Sequence, residues 1–170
     1  MEEFRRAEAR DMDEIMRVVH EAQAFMRTLE IDQWQDGYPE PETLLADIAI
    51  GQLYVFVEGE RVHAVAALSL EPEPVYGEIE DAWQGKDPYL TIHRMATDDA
   101  ARGRGLAARM LGQAERIAAE HGCGAVRVDT HTGNAAMRRF LEKHGFVYRG
   151  IVHYYVKKGD PVRVAYEKLM

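Results

Sequence analysis

Ile15, Val18, Val19, Ala22, Met26 and Leu29 recur every three or four residues, the period of one helical face, and Asp11 stands where the N-cap of that helix belongs. Phe4 to Ala7 ahead of it forms a short strand. A second helix is expected from about Glu42 to Ile50, closed by Gly51. Leu53 to Val57 and Arg61 to Leu70 form a hairpin around Glu58-Gly59-Glu60. Glu71 to Pro88, with three prolines and six acids, breaks both periods and is a long functional loop. Leu90 to Ala96 is a strand. Helical spacing returns from about Gly103 to His121, with Leu106, Met110, Ala114 and Ile117 inward. A strand over Ala125 to Asp129 and a helix from about Asn134 to His144, ended by Gly145, follow. Phe146 to Val156 and Val162 to Lys168 close the chain as a hairpin around Lys158-Gly159-Asp160-Pro161. The predicted order is β-α-α-β-β-β-α-β-α-β-β, an α/β layer fold on a mixed sheet. No repeat or linker interrupts it, so residues 1–170 form a single domain.

Composition narrows the function classes. With 46% hydrophobic and 29% charged residues over 170, the chain buries enough surface to stand without disulfides. It has one cysteine, Cys123, and its seven histidines are scattered, so no zinc set or redox pair is expected. No apolar run nears the ~18 residues of a membrane span, and Met1-Glu2-Glu3-Phe4-Arg5-Arg6 lacks a leader's apolar core, which predicts a soluble, cytoplasmic protein. The net charge of -8 argues against a nucleic-acid partner. Its distribution is uneven. Residues 1–90 hold 7 basic and 21 acidic side chains, residues 91–170 hold 14 and 8, so a polyanionic ligand suits the second half. The only serine, Ser69, has no flanking glycines, which excludes a nucleophile elbow.

The chemistry concentrates at Arg102-Gly103-Arg104-Gly105-Leu106-Ala107-Ala108, a glycine turn opening into an amphipathic helix. Glycines let the backbone approach a ligand, and the first helical N–H groups and the dipole favour an anion. With Arg102 and Arg104 beside them, a diphosphate is the expected ligand. A dinucleotide is one candidate, since Gly103-x-Gly105-x-x-Ala108 fits that fingerprint and Asp129 lies 21 residues past Ala108. Against it, the polar residues Thr97 to Arg102 separate strand from glycines, and the chain ends in a hairpin instead of repeating βαβ units.

The same residues resemble the GNAT superfamily of N-acetyltransferases, over essentially the whole chain. The family hallmark, Arg or Gln, two residues, Gly, one residue, then Gly or Ala, matches Arg102 to Ala107. A second element, Asn followed eleven residues later by Gly-Phe, matches Asn134 and Gly145-Phe146. Asp32 to Pro39, Ile92 to Ala96 and Asp129 to His131 resemble a bacterial branch without assigned acceptors. The resemblance implies a sheet splayed between the fourth and fifth strands, with acetyl-CoA as co-substrate and no metal. Residues 102–108 would hold the diphosphate, and Met95, Ala96 and Thr97 would pair with the pantetheine arm, the Met95 amide polarising the thioester carbonyl. Asn134 would contact the arm.

Acetyl transfer needs a neutral nitrogen, and an amine of pKa about 10.4 is neutral in roughly one molecule in 2,500 at pH 7, a cost of about 4.6 kcal/mol. A base is therefore expected. Where well-studied relatives carry a glutamate this chain has Thr91, so His93, two residues along the same strand face, is the candidate, with Asp129 the weaker one. Many relatives carry a tyrosine seven residues after the asparagine to protonate the thiolate. Here that position is Leu141, which leaves Tyr154, Tyr155 or water. Trp34 and Tyr38 lie among acids, as do Tyr76 and Trp83, near Glu78, which predicts a cationic amine acceptor, small molecule or peptide. The protein is expected to act as a monomer or homodimer. A CoA-binding module without catalysis is the alternative that Thr91 and Leu141 would favour.

Overall fold

Every predicted strand and helix is present in the computed structural model, which describes residues Met1–Met170. The strands are β1 (Glu2–Arg6), β2 (Leu53–Glu58), β3 (Arg61–Ser69), β4 (Tyr89–Thr97), β5 (Ala125–His131), β6 (Val147–His153) and β7 (Val162–Leu169). The helices are α1 (Met12–Thr28), α2 (Pro41–Ala49), α3 (Leu106–Glu120) and α4 (Ala135–Lys143). One seven-stranded sheet runs β1-β2-β3-β4-β5-β7-β6, and only β4 and β5 are parallel neighbours. A parallel pair needs a crossover, which α3 supplies.

Strand alternation sends side chains to two layers. On one face Ala66, Ile92, Val128 and Tyr166 pack under Leu106 and Met110 of α3 and Leu141 of α4. On the other, Val55, Val65 and Ala67 lie under Ile15 and Val18 of α1 and Leu44 of α2. Farther along that second face, Ala165 and Val152 pack against Tyr76. No helix is long and apolar enough to cross a membrane.

Three local expectations change. Asp11 does not cap α1 with its side chain, because a 3₁₀ turn over Ala9–Asp11 already puts it in helical conformation. Its carboxylate turns back to accept from Arg5 at 2.8 and 2.9 Å and from the Glu8 amide at 2.8 Å. Leu29 is exposed because α1 stops at Thr28. The segment after β3 is partly wound, with 3₁₀ turns over Pro74–Ala82. Its end is fastened to the sheet by the fully buried Glu167, which accepts from the Gln84 and Gly85 amides and from Arg127 and Arg149. The Arg127 guanidinium lies 4.3 Å from the Trp83 ring centre and 3.9 Å from that of Tyr89. Trp83 is thus spent on packing.

Candidate active site

β4 and β5 pair from Tyr89 and Ala125 to Ile92 and Val128, then part. From His93 onward the β5-facing edge of β4 has no partner strand. On its other edge β4 pairs Ala96 with Val65 and His93 with Ala67, so Arg94 and Met95 together oppose Ala66. This bulge re-aims β4 at the gap. Arg94 takes φ 52°, a left-handed conformation costing a non-glycine residue about 1–3 kcal/mol. Its side chain offsets that cost. Nε and Nη2 grip both carboxylate oxygens of the buried Asp47 at 2.7 and 2.8 Å, and Nη1 donates to the Tyr38 hydroxyl at 2.9 Å.

Below the gap the chain turns through Gly103 (φ 82°) and Gly105 (φ 74°) into α3. A Cβ at either glycine would meet open space, so glycine is needed here for its backbone conformation. The amides of Gly103, Gly105, Leu106, Ala107 and Ala108 have no protein acceptor. Five free donors at a helix N-terminus fit a diphosphate. Arg104 and Arg109 reach across to Glu2, and Arg102 pairs with Asp99 while stacking on Phe25. Asn134 caps α4 by accepting from the Met137 amide at 3.1 Å. Its Nδ2 has no acceptor in the protein.

The gap opens into a cleft of about 330 Å³. His93 and Asp129, the first residues beyond the last β4–β5 pair, flank its floor on the same sheet face. The His93 Nε2 lies 3.3 Å from Glu73 Oε2. Burial, with Arg94 adding repulsion, pushes the His93 pKa down to about 4. Burial likewise raises Glu73 and Asp129 above the usual carboxylate range. Asp129 Oδ2 accepts from the Tyr76 hydroxyl at 2.8 Å and the Tyr154 hydroxyl at 2.7 Å, which leaves Oδ1 without a protein donor. Trp34, Asp36, Tyr38 and Glu40 form the far wall. That wall is tied to the β6–β7 hairpin by Lys157 on Glu40 and by the Lys157 and Asp160 amides on Asp36 and Asp32.

The model of the Acetyltransferase (GNAT) family matches residues 18–146, a span holding the gap, the glycine turn and Asn134. The chain belongs to the GNAT acetyltransferase family. It is an acetyl-CoA-dependent N-acetyltransferase. A GNAT-family acetyltransferase from Streptococcus agalactiae is 34% identical, with a TM-score of 0.81 over 99% of this chain and 95% of that one. A second acetyltransferase structure, from Staphylococcus aureus, is 22% identical with a TM-score of 0.74, covering 98% and 97%. The PaiA N-acetyltransferase from Thermoplasma acidophilum, in complex with coenzyme A, shares the fold at 16% identity, TM-score 0.74, covering 100% and 99%.

Within this GNAT domain His93, Met95, Asn134, Trp34, Tyr38 and Asp129 gather around one cleft. Ala96 and Thr97 continue the unpaired edge of β4, and residues 102–108 lie at its foot. Glu78 is not among them. It is exposed on the rim of the long segment, where it accepts from His153 Nδ1 at 2.8 Å. Leu141 is fully buried in the α3–α4 core and meets no leaving thiolate, whereas Tyr155, almost fully exposed, lines the cleft beside Tyr154. The dinucleotide reading falls with the topology, a single parallel strand pair with no repeated βαβ unit. Sequence reasoning missed Arg94, Asp47, Glu73 and Arg163. Arg94 meets Asp47 across 47 residues and Glu73 meets His93 across 20, separations that no local pattern signals.

Proposed function

We propose that the protein moves the acetyl group of acetyl-CoA onto the amine of a small acceptor by direct attack across the β4–β5 gap. The observation that carries this reading is the unpaired β4 edge, set between five free amides at one end and the His93–Asp129 pair at the other. Residues 103–108 would bind the diphosphate, the β4 edge from Met95 to Thr97 would take the pantetheine arm as a substitute strand, and Asn134 Nδ2 would reach that arm. The Met95 amide at the bulge would donate to the thioester oxygen as negative charge develops there.

The acceptor arrives as an ammonium, and Asp129 Oδ1 is placed to hold it beside Trp34 and Tyr38. A carboxylate raised by burial is a better proton acceptor than an ordinary one. His93 is neutral at pH 7, but a pKa near 4 makes it a poor final resting place for a proton from an amine. Its role is to receive the proton in passing toward Glu73, 3.3 Å away. Tyr154 holds its proton tightly, because burial and Asp129 push its pKa well above that of a free phenol. With a thiol pKa of about 8.5, coenzyme A leaves as thiolate and is protonated from solvent.

The test is thiol release from acetyl-CoA with a panel of amines. Release above hydrolysis, reduced about 10²–10³-fold in Asp129→Asn with coenzyme A affinity unchanged, supports the reading. Coenzyme A binding without release for any amine would contradict it and leave a binding module.

A further inference from the structure

Three cationic side chains line the cleft: Arg94, Lys157 and Arg163. Two have carboxylate partners. Arg94 is paired with Asp47 and Lys157 with Glu40. Arg163 has none, although it is 7% exposed. Its Nη1 donates only to the backbone carbonyls of Asp160 and Val162, at 2.7 and 2.8 Å, and its Nε and Nη2 find no acceptor in the protein. The nearest acid in sequence, Asp160, accepts from the Val162 amide at 2.8 Å through Oδ1, and its Oδ2 lies 3.1 Å from His131 Nε2 without a hydrogen bond between them. No carboxylate touches this guanidinium, and the charge it acts on is that of Asp129, whose ionised form it favours; arginine is suited to such places where a planar oxyanion is to be gripped.

Its placement fits a specific kind of acceptor. Alternation along β7 puts Arg163 on the same face as Ala165, which pairs with Asp129 across the β5–β7 ladder. Arg163 itself pairs with His131, so Arg163 and Asp129 are diagonal neighbours on one face of the β5–β7 pair, with Cα atoms ~7–8 Å apart, and both line the cleft. A small molecule bearing both an ammonium and a carboxylate spans that separation.

We infer that Arg163 binds the carboxylate of an amino-carboxylate acceptor while Asp129 holds its ammonium, so that the substrate class is a free amino acid or a close analogue and not a polyamine. This rests on the acetyl-transfer reading for the reaction, but not for the binding. The test compares matched pairs, tyrosine with tyramine, tryptophan with tryptamine and lysine with cadaverine, in wild type, Arg163→Gln and Arg163→Lys. Each is followed by thiol release and by calorimetric binding to the coenzyme A-loaded protein. At least one carboxylated member is expected to beat its decarboxylated partner by about tenfold or more. Arg163→Gln should raise its KM and Kd about 10–100-fold, with the amine partner and coenzyme A unaffected, and Arg163→Lys should recover part of the loss. Arg163-dependent binding without thiol release would sustain this inference while overturning the acetyl-transfer reading. Preference for the decarboxylated members throughout, or a carboxylate preference unchanged in Arg163→Gln, would overturn the inference itself.

Discussion

His93 and Asp129 respond to the same burial in opposite ways, and each leaves a separable signature. A histidine held neutral, with its pKa lowered to about 4, favours the fold above the unfolded pKa of 6.5 and loses that contribution as pH falls. The window runs from about pH 6.5 to pH 4 and is worth about 3 kcal/mol if no compensating group titrates, with Glu73 and Arg94 the charged neighbours facing the ring. Denaturant titrations across that range should show wild-type stability declining toward acid more steeply than that of His93→Gln. Parallel curves would remove burial of His93 as the cause. Asp129 behaves conversely, since a raised carboxylate pKa means that ionisation opposes folding. Asp129→Asn is therefore expected to match or exceed wild-type stability at pH 7 while losing activity, and the gain should vanish below the pKa of an unfolded aspartate. A variant less stable at pH 7 would show that the Tyr76 and Tyr154 hydrogen bonds outweigh the desolvation.

At the scale of elements, the helices and strands were legible because their apolar spacing is regular and glycines such as Gly51 and Gly145 mark helix ends with positive φ. The glycine turn was legible for a similar reason, its conformation being written in Gly103 and Gly105. The β4 bulge was not. It contains no glycine, and its strained residue is an arginine held by Asp47, 47 residues earlier and on another element. Removing Arg94 leaves the buried Asp47 charge with only Gln52 as a side-chain partner, so Arg94→Ala should cost about 3–5 kcal/mol in denaturant unfolding. A loss below 1 kcal/mol would show that the strain relieved equals the pairing lost. The attachment of the long segment follows the same logic. Glu167→Ala strips the counter-charge from Arg127 and Arg149 and the acceptor from two amides, and should free Pro74–Ala82 to exchange amide hydrogens faster without disturbing α3.

For the whole molecule, the sheet sorts the work between its faces. One face is closed by α3 and α4 into the larger apolar core, and the other is roofed only in part, by α1, α2 and the long segment, which leaves the cleft over the end of the β4–β5 pair. The aromatic and acidic residues that suggested a cationic acceptor divide accordingly. Trp34 and Tyr38 reach the cleft, whereas Trp83 stacks on Arg127 and Tyr76 orients Asp129. The tally of acids could not reveal that a buried arginine faces the same space. The basic second half, from residue 91, carries the gap and the glycine turn, the segments proposed to meet the polyanionic donor.

The central claim is that free amides at residues 103–108 grip the donor's diphosphate. Calorimetric titration of coenzyme A into wild type, Gly105→Ala and Gly105→Glu tests it most directly. Both variants carry the same left-handed strain, about 1–2 kcal/mol, and only the second sets a negative charge against the diphosphate. The account predicts saturable heat with wild type, weaker binding with Gly105→Ala, and none with Gly105→Glu in folded protein. Absence of heat from wild type, or equal affinity in Gly105→Glu, would contradict it.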